Sequence, residues 1–189
     1  MKETVRGLCP RKHPVKKLYL GIYMTELRKY KKQIAMWAML CLTLAAMLFI
    51  FSNSTKDAPT SSQQSDKVVD AVRPPAEIIL PIINVEPSDS NIVSIVRKSA
   101  HFLEFALLGC LAFWTVRLWT RKKLLCLALP FGFSAVTALI DETIQLTSPG
   151  RAWQLQDIFV DVAGASSGML FAFICVLFCM LVKKRRKKL

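Results

Sequence analysis

The chain has 189 residues, of which 53% are hydrophobic, and its mean hydropathy is +0.37. These values exclude an ordinary soluble domain and favour an integral membrane protein. The formal net charge of +13 is typical of some nucleic-acid-binding proteins, so the positions of the basic residues must decide what the charge means.

Four apolar segments along the chain are each close to the ~20 residues that a membrane-spanning helix needs. They cover residues 34–51, about 99–119, about 124–140 and 158–182. The polar lead before the first segment is too long for the n-region of a signal peptide, and no A-x-A cleavage site follows that segment. We therefore predict an all-α, polytopic membrane protein with four transmembrane helices.

Basic residues are concentrated in every second polar segment. Ten Lys or Arg residues precede the first apolar segment, four lie at 117–123 and six at 183–188. By the positive-inside rule, both termini and the turn at 117–123 are cytoplasmic, while segments 52–98 and 141–157 lie outside the cell. Topology thus accounts for the charge, and we expect no nucleic-acid partner.

The predicted domain organisation follows from this topology. A basic cytoplasmic lead covers residues 1–33, a membrane domain covers 34–182 and a basic cytoplasmic tail covers 183–189. Residues 56–91 are rich in Ser, Pro and acidic groups, yet "SQQSDKVVDAVRPPAEIILPII" has an apolar rhythm. This rhythm predicts a short helix on the outer surface.

Polar residues interrupt the last three apolar segments at one level, near the predicted outer face. On the second segment, Arg97, His101 and Glu104 fall on one helical stripe. A carboxylate costs roughly 2.5–3.5 kcal/mol at the membrane centre and less near an interface, so these side chains should face one another or a wet cavity. The residues are Arg97, Lys98, His101, Glu104, Asp141, Glu142, Gln145, Asp157 and Asp161.

The fourth segment carries small residues on the face of Asp161. Gly164 and Gly168 have the G-x-x-x-G spacing, which allows a neighbouring helix to approach closely. We favour packing within the chain over dimerisation as the role of this pair, and the sequence assigns no oligomeric state.

The stretches "RKSAHFLEFALLGCL" and "DETIQLTSPGRAWQLQDIFVDVAGASSGML" together resemble the VanZ-like membrane proteins, over about residues 34–182. Asp161 stands where an asparagine is common in that family. The resemblance implies a multi-pass protein of bacterial cell envelopes, mostly Gram-positive, in a family whose founding member is linked to teicoplanin resistance. It implies no particular reaction.

Three hypotheses for the function of the polar residues follow. The first is a site that binds or acts on a membrane lipid or a lipid-linked cell-wall precursor, with basic residues holding phosphate and acid–base residues moving protons. The ligand-binding candidates are Arg97, Lys98, Gln145 and Arg151, and the catalytic candidates are His101, Glu104, Glu142 and Asp157. No motif establishes an enzymatic activity.

The other two hypotheses are a divalent-metal site and a structural clasp. A histidine among carboxylates suits Mg, Ca or Mn better than Zn. The metal-ligand candidates are His101, Glu104, Asp141 and Asp161. A clasp, in a scaffold or interaction protein, needs balanced charges, but here the acids outnumber the bases, so a role beyond fastening is favoured. The sequence identifies no cofactor.

The predicted topology leads to a direct test. A reporter that is active only outside the cell should give a signal when fused after residue 70 or 148 and none after residue 121 or 189, because the basic segments stay in the cytoplasm. Reporter activity measures this directly. An outer signal from the fusion after residue 189 would contradict the predicted orientation.

Overall fold

The computed structural model describes residues 14–56, 58–82, 86, 88–147 and 154–186, and every regular element in these ranges is an α-helix. The helices are α1 (Pro14–Ser54), α2 (Ala58–Ile82), α3 (Asp89–Trp119), α4 (Lys123–Leu146) and α5 (Leu155–Arg186).

Four of these helices are long and apolar enough to cross a membrane. They are α3, α4, α5 and the Gly21–Ser54 part of α1. The prediction of an all-α protein with four transmembrane helices is therefore confirmed. Each helix is longer than the apolar segment that predicted it, because the polar residues that flank the segment continue the helix.

The chain divides into two compact units, Met1–Ala35 and Met36–Leu189. In the first unit, the described residues belong to the first half of α1, and Lys29 contacts Glu26 one turn earlier at 2.7 Å. Both side chains of this pair are mostly exposed, so it contributes little to stability.

Within the second unit, α2 is a helix of 25 residues, longer than the short helix that the apolar rhythm predicted. Its buried Val69 and Leu80 pack together with Ile92 of α3. Arg73 of α2 donates a hydrogen bond to Asp89 of α3 at 2.6 Å, and this bond raises the pKa of the Arg73 guanidinium. The apolar rhythm of residues 56–91 is thus the face that α2 packs against α3.

The core of the second unit lies where α3, α4 and α5 meet. One cluster of buried side chains also includes the end of α1, and it consists of Ile50, Phe105, Leu108, Ala138, Ile158 and Ala165. A second cluster lies further along α3 and consists of Phe113, Cys126, Met169 and Ala172. Between spanning helices such a core is stabilised by close packing, because lipid tails are as apolar as the side chains.

The contact between α3 and α5 is the most extensive in the unit, and glycines bring the two backbones together. A Cβ atom at Gly109 of α3 would overlap the backbone of Ala165. On α5, a Cβ at Gly164 would overlap the backbone of Phe102, and one at Gly168 that of Ala106. We call these three contacts the glycine seam. Gly164 and Gly168, for which the sequence predicts a role in packing between helices, both belong to this seam.

The glycine seam predicts a large effect of bulky side chains on folding. Gly164→Leu and Gly168→Leu should each lower the yield of monodisperse protein several-fold, because overpacking typically costs about 1–3 kcal/mol and backbone atoms cannot rotate away as a side chain can. Size-exclusion chromatography of a fluorescent fusion in detergent measures this yield.

Gly132 supplies the matched control, because a Cβ there meets nothing within 4 Å. Gly132→Leu should leave the yield unchanged. Equal yields from Gly132→Leu, Gly164→Leu and Gly168→Leu would show that the seam does not hold α3 against α5.

Candidate functional site

Carboxylates gather at one end of the second unit, where α1 and α4 end and α5 begins. We call this region the acidic end. Asp141 and Glu142 are fully buried there, and Asp161 is 1% exposed. A buried carboxylate costs several kcal/mol unless it is hydrogen-bonded or paired with a cation. The contacts of each carboxylate therefore decide what the region can do. The carboxylates are Glu104, Asp141, Glu142, Asp157 and Asp161.

The centre of the acidic end is formed by three residues from three helices: His101 of α3, Asp141 of α4 and Asp161 of α5. His101 Nδ1 lies 3.9 Å from Asp141 Oδ2 and 3.8 Å from Asp161 Oδ1. One ligand atom from each residue lies within 4.8 Å of the others. These separations exceed hydrogen-bond length but lie within ion-pair distance when His101 is protonated.

The two aspartates of this group have different surroundings. Asp141 accepts a hydrogen bond from the Ser54 hydroxyl at 2.6 Å and another from the Gln145 amide at 2.9 Å. Asp161 makes no hydrogen bond through either carboxylate oxygen among the residues that the structure describes. Asp141 is thus held in a fixed orientation, whereas Asp161 is buried without a hydrogen-bond donor.

Glu104 lies on α3 but outside the group of three, and it contacts α1. Its Oε1 accepts a hydrogen bond from Asn53 Nδ2 at 2.8 Å, and Asn53 Oδ1 accepts one from Lys56 at 2.9 Å. The end of α1 therefore supplies two side chains to the acidic end, Asn53 and Ser54. Sequence reasoning missed both, although they follow an apolar segment at the same level as the other polar residues.

Glu142 connects the end of α4 to the start of α5. Its Oε1 accepts a hydrogen bond at 2.5 Å from the backbone N–H of Gln154, the residue before α5 begins. This contact fixes where α5 enters the bundle. Arg151, which was predicted to bind phosphate from the preceding loop, lies outside the described residues.

Basic residues lie at the rim of the acidic end. Lys98 of α3 contacts Asp157 of α5 at 3.2 Å, with both side chains partly exposed. Lys98, Arg97 and His101 line a narrow cleft together with Asp157 and Asp161. The cleft has an internal volume of about 10 Å³. This volume is roughly what a single water molecule or ion needs.

An apolar groove of about 410 Å³ opens beside this cleft, between α3 and α5. Lys98 and Val160 belong to the lining of both the groove and the cleft. The other residues that line the groove are Ile95, Ser99, Phe102 and Leu103. Leu103 is 66% exposed, so this side of the groove faces the surroundings of the bundle.

The structure thus divides the predicted site residues into two sets. The interior set lies among the helices and includes His101, Glu104, Asp141, Glu142, Gln145 and Asp161. The rim set includes Arg97, Lys98 and Asp157. Gln145, predicted as a ligand-binding residue, donates its hydrogen bond to Asp141. The interior set offers oxygen and nitrogen ligands, and the rim set offers cationic side chains.

Comparison with known proteins identifies one family. The family model described as VanZ/LLP1 matches residues 37–178, well over half of the chain and all of the acidic end. No curated protein and no solved structure matches the chain. The resemblance predicted from the sequence motifs is therefore confirmed at the level of the family.

The hydrogen bond from Ser54 to Asp141 predicts a loss of stability on truncation. Ser54→Ala should lower the free energy of unfolding by about 1–3 kcal/mol, because a buried carboxylate oxygen then loses a donor. Thermal unfolding of the purified protein in detergent measures the change. Ser52→Ala is the control, since Ser52 is exposed on the same helix end. Identical melting of the two variants would contradict a stabilising contact at Asp141.

Proposed function

This multi-pass membrane protein belongs to the VanZ/LLP1 family, and we propose that its acidic end binds the anionic headgroup of a lipid-linked cell-envelope component. The observation that carries the proposal is the position of Lys98 and Arg97 in a polar cleft that adjoins an apolar groove. A lipid phosphate and its hydrocarbon chain require two such surfaces side by side.

The distribution of charge supports a site on the outer side of the membrane. The positive-inside rule assigns three basic segments to the cytoplasm: the lead, the 117–123 turn and the tail. The acidic end lies at the opposite ends of the same helices. In this orientation it meets lipid-linked components of the outer leaflet.

The rim residues suit a phosphate. Lysine binds phosphate as a point charge, and arginine binds two oxygens at once through its planar guanidinium. Lys98 is paired with Asp157, but its side chain is 30% exposed. The exposed part of its ammonium group can therefore bind a phosphate while the contact with Asp157 is kept. Arg97 lines the same cleft and provides a second cation.

The groove suits a hydrocarbon chain. Phe102 and Leu103 of α3 and Val160 of α5 form an apolar surface next to Lys98. A lipid chain in this groove would keep its contact with the bilayer, so binding would require no transfer of the chain into water. The groove and the rim together favour an amphiphile over a water-soluble anion.

We further propose that occupation of this site lowers susceptibility to glycopeptides such as teicoplanin. Its support is the family to which the chain belongs and the predicted outer position of the site. A protein that binds a lipid-linked precursor in the outer leaflet is placed where it can compete with an antibiotic for that precursor.

A structural clasp is the competing role, and two contacts favour it. Asn53 bonds to Glu104, and Ser54 bonds to Asp141, so α1 is fastened to α3 and α4. These contacts belong to the interior set, whereas Lys98 and Arg97 lie at the rim. Lys98 also joins α3 to α5 through Asp157, so a rim variant separates ligand binding from fastening only when its membrane abundance is measured beside its lipid occupancy.

The rim predicts the lipid occupancy of the purified protein. The double variant Arg97→Gln/Lys98→Gln should retain at least tenfold less co-purified anionic lipid. Charge-assisted hydrogen bonds are each worth about 1.5–3 kcal/mol, and about 1.4 kcal/mol is a factor of ten in affinity. Native mass spectrometry of protein extracted with its own lipid measures the occupancy, and a teicoplanin-susceptibility assay on the same strains measures the phenotype.

The matched control is Arg121→Gln/Lys122→Gln, which removes the same two charges at the opposite end of α3, where both residues are exposed. This variant should keep its lipid. Equal lipid occupancy in the two double variants would contradict headgroup binding at the rim. Loss of the rim variant's membrane abundance, measured by immunoblot, would favour a clasp.

A further inference from the structure

We propose that His101, Asp141 and Asp161 bind one divalent transition-metal ion of the Mn²⁺ type at the centre of the acidic end. The site goes beyond headgroup binding at the rim, because its ligands belong to the interior set and come from α3, α4 and α5. One ion would join these three helices at a single point.

The two distances from His101 fit coordination. Ligand atoms about 2.1 Å from an ion lie roughly 3.0 Å apart at right angles and roughly 4.2 Å apart on opposite sides. His101 Nδ1 lies 3.8 Å from Asp161 Oδ1 and 3.9 Å from Asp141 Oδ2, within this range. The same separations are too long for hydrogen bonds but within ion-pair distance of a protonated His101, and a central ion would satisfy the imidazole and both carboxylates at once.

Asp161 supplies an independent reason for an ion. Its side chain is 1% exposed, and both of its oxygens lack a hydrogen-bond donor among the described residues. Lys98, one turn before His101, contacts Asp157 instead. The ionised form of a carboxylate buried in this way needs a compensating positive charge, which a protonated His101 at 3.8 Å or a bound dication can supply, and the dication is the larger charge.

The surroundings of Asp141 resemble the outer shell of a metal site. Ser54 and Gln145 each donate to one oxygen of its carboxylate, which fixes the orientation of the group. Hydrogen bonds of this kind hold a ligating carboxylate in place and reduce the cost of ordering it when metal binds. Asp141 is thus preorganised, and Asp161 completes the site from the neighbouring helix.

The type of ion follows from the ligands and from the space. Two carboxylates and one imidazole form a mixed oxygen and nitrogen set, which suits Mn²⁺ better than Ca²⁺ or Mg²⁺, both of which prefer oxygen alone. The adjoining cleft of about 10 Å³ admits an ion or a water molecule. It is too small to enclose a phosphate headgroup, which would lie outside the cleft against the exposed part of Lys98, so the ion and the headgroup occupy different positions.

The test is a titration of the full-length, chelator-treated protein in detergent with Mn²⁺, in which electron paramagnetic resonance counts the free ion. The wild type should bind one Mn²⁺ per chain. Asp161→Asn and His101→Gln should each weaken binding at least tenfold. Asp70→Asn is the matched control, since it removes an exposed aspartate from α2, and it should bind like the wild type.

Melting temperature gives a second readout that separates a metal ligand from a clasp residue. Without metal, Asp161→Asn should melt at or above the temperature of the wild type, because the substitution removes a buried charge. With Mn²⁺, the wild type and Asp70→Asn should become more stable, whereas Asp161→Asn should not. A metal-free Asp161→Asn that melts well below the wild type would identify a clasp and overturn the proposal.

Two further outcomes would overturn the metal site: a wild type that takes up neither Mn²⁺ nor Zn²⁺, or an Asp161→Asn variant that keeps wild-type affinity. If Asp161→Asn does not accumulate in the membrane, the affinity of His101→Gln for Mn²⁺ decides instead, because the His101 side chain is partly exposed. The rim variant Arg97→Gln/Lys98→Gln should still bind one Mn²⁺. Failure of lipid binding and failure of metal binding are therefore distinguishable.

Discussion

The close contact between the backbones of α3 and α5 determines the geometry of the acidic end. Glycines at positions 109, 164 and 168 allow each helix to touch the other's backbone directly. His101 precedes Phe102, which Gly164 contacts, and Asp161 lies one turn before Ala165, which Gly109 contacts. The distance of 3.8 Å between the imidazole and the carboxylate is therefore a consequence of the glycine seam. A larger side chain in the seam would separate the two groups.

This geometry buries several carboxylates, and each buried carboxylate lowers stability unless it is hydrogen-bonded. The hydrogen-bond donors differ from one carboxylate to the next. Asp141 has two side-chain donors, Glu142 has the backbone N–H that precedes α5, and Glu104 has Asn53. These contacts also fasten α1, α4 and α5 to one another, so the hydrogen bonds that solvate the acids stabilise the bundle. Asp161 is the exception, because no donor reaches it from the described residues.

The division between interior and rim gives the acidic end two chemical surfaces. Interior residues provide a small, buried set of oxygen and nitrogen ligands, and they are suited to an ion. Rim residues provide partly exposed cationic side chains beside an apolar groove, and they are suited to the headgroup and chain of a lipid. The two surfaces meet in the cleft that His101, Asp161 and Lys98 share. An ion at the centre would reduce the negative potential of the acids and so favour an anionic headgroup at the rim.

The sequence by itself determined the class of the protein, its four spanning helices and its family, because hydrophobic length and ordered motifs are local properties of the chain. Asp141 and Gln145 are four residues apart in one helix, a spacing that puts them on one face, and there they are hydrogen-bonded. The partners across helices came only from the tertiary structure, which pairs Ser54 with Asp141 and Asn53 with Glu104. Only the tertiary structure shows that His101 lies with Asp141 and Asp161 while Glu104 lies outside that group. Periodicity gives the face of each helix but neither the rotation nor the distance between helices, and those depend on which small residues let two backbones touch.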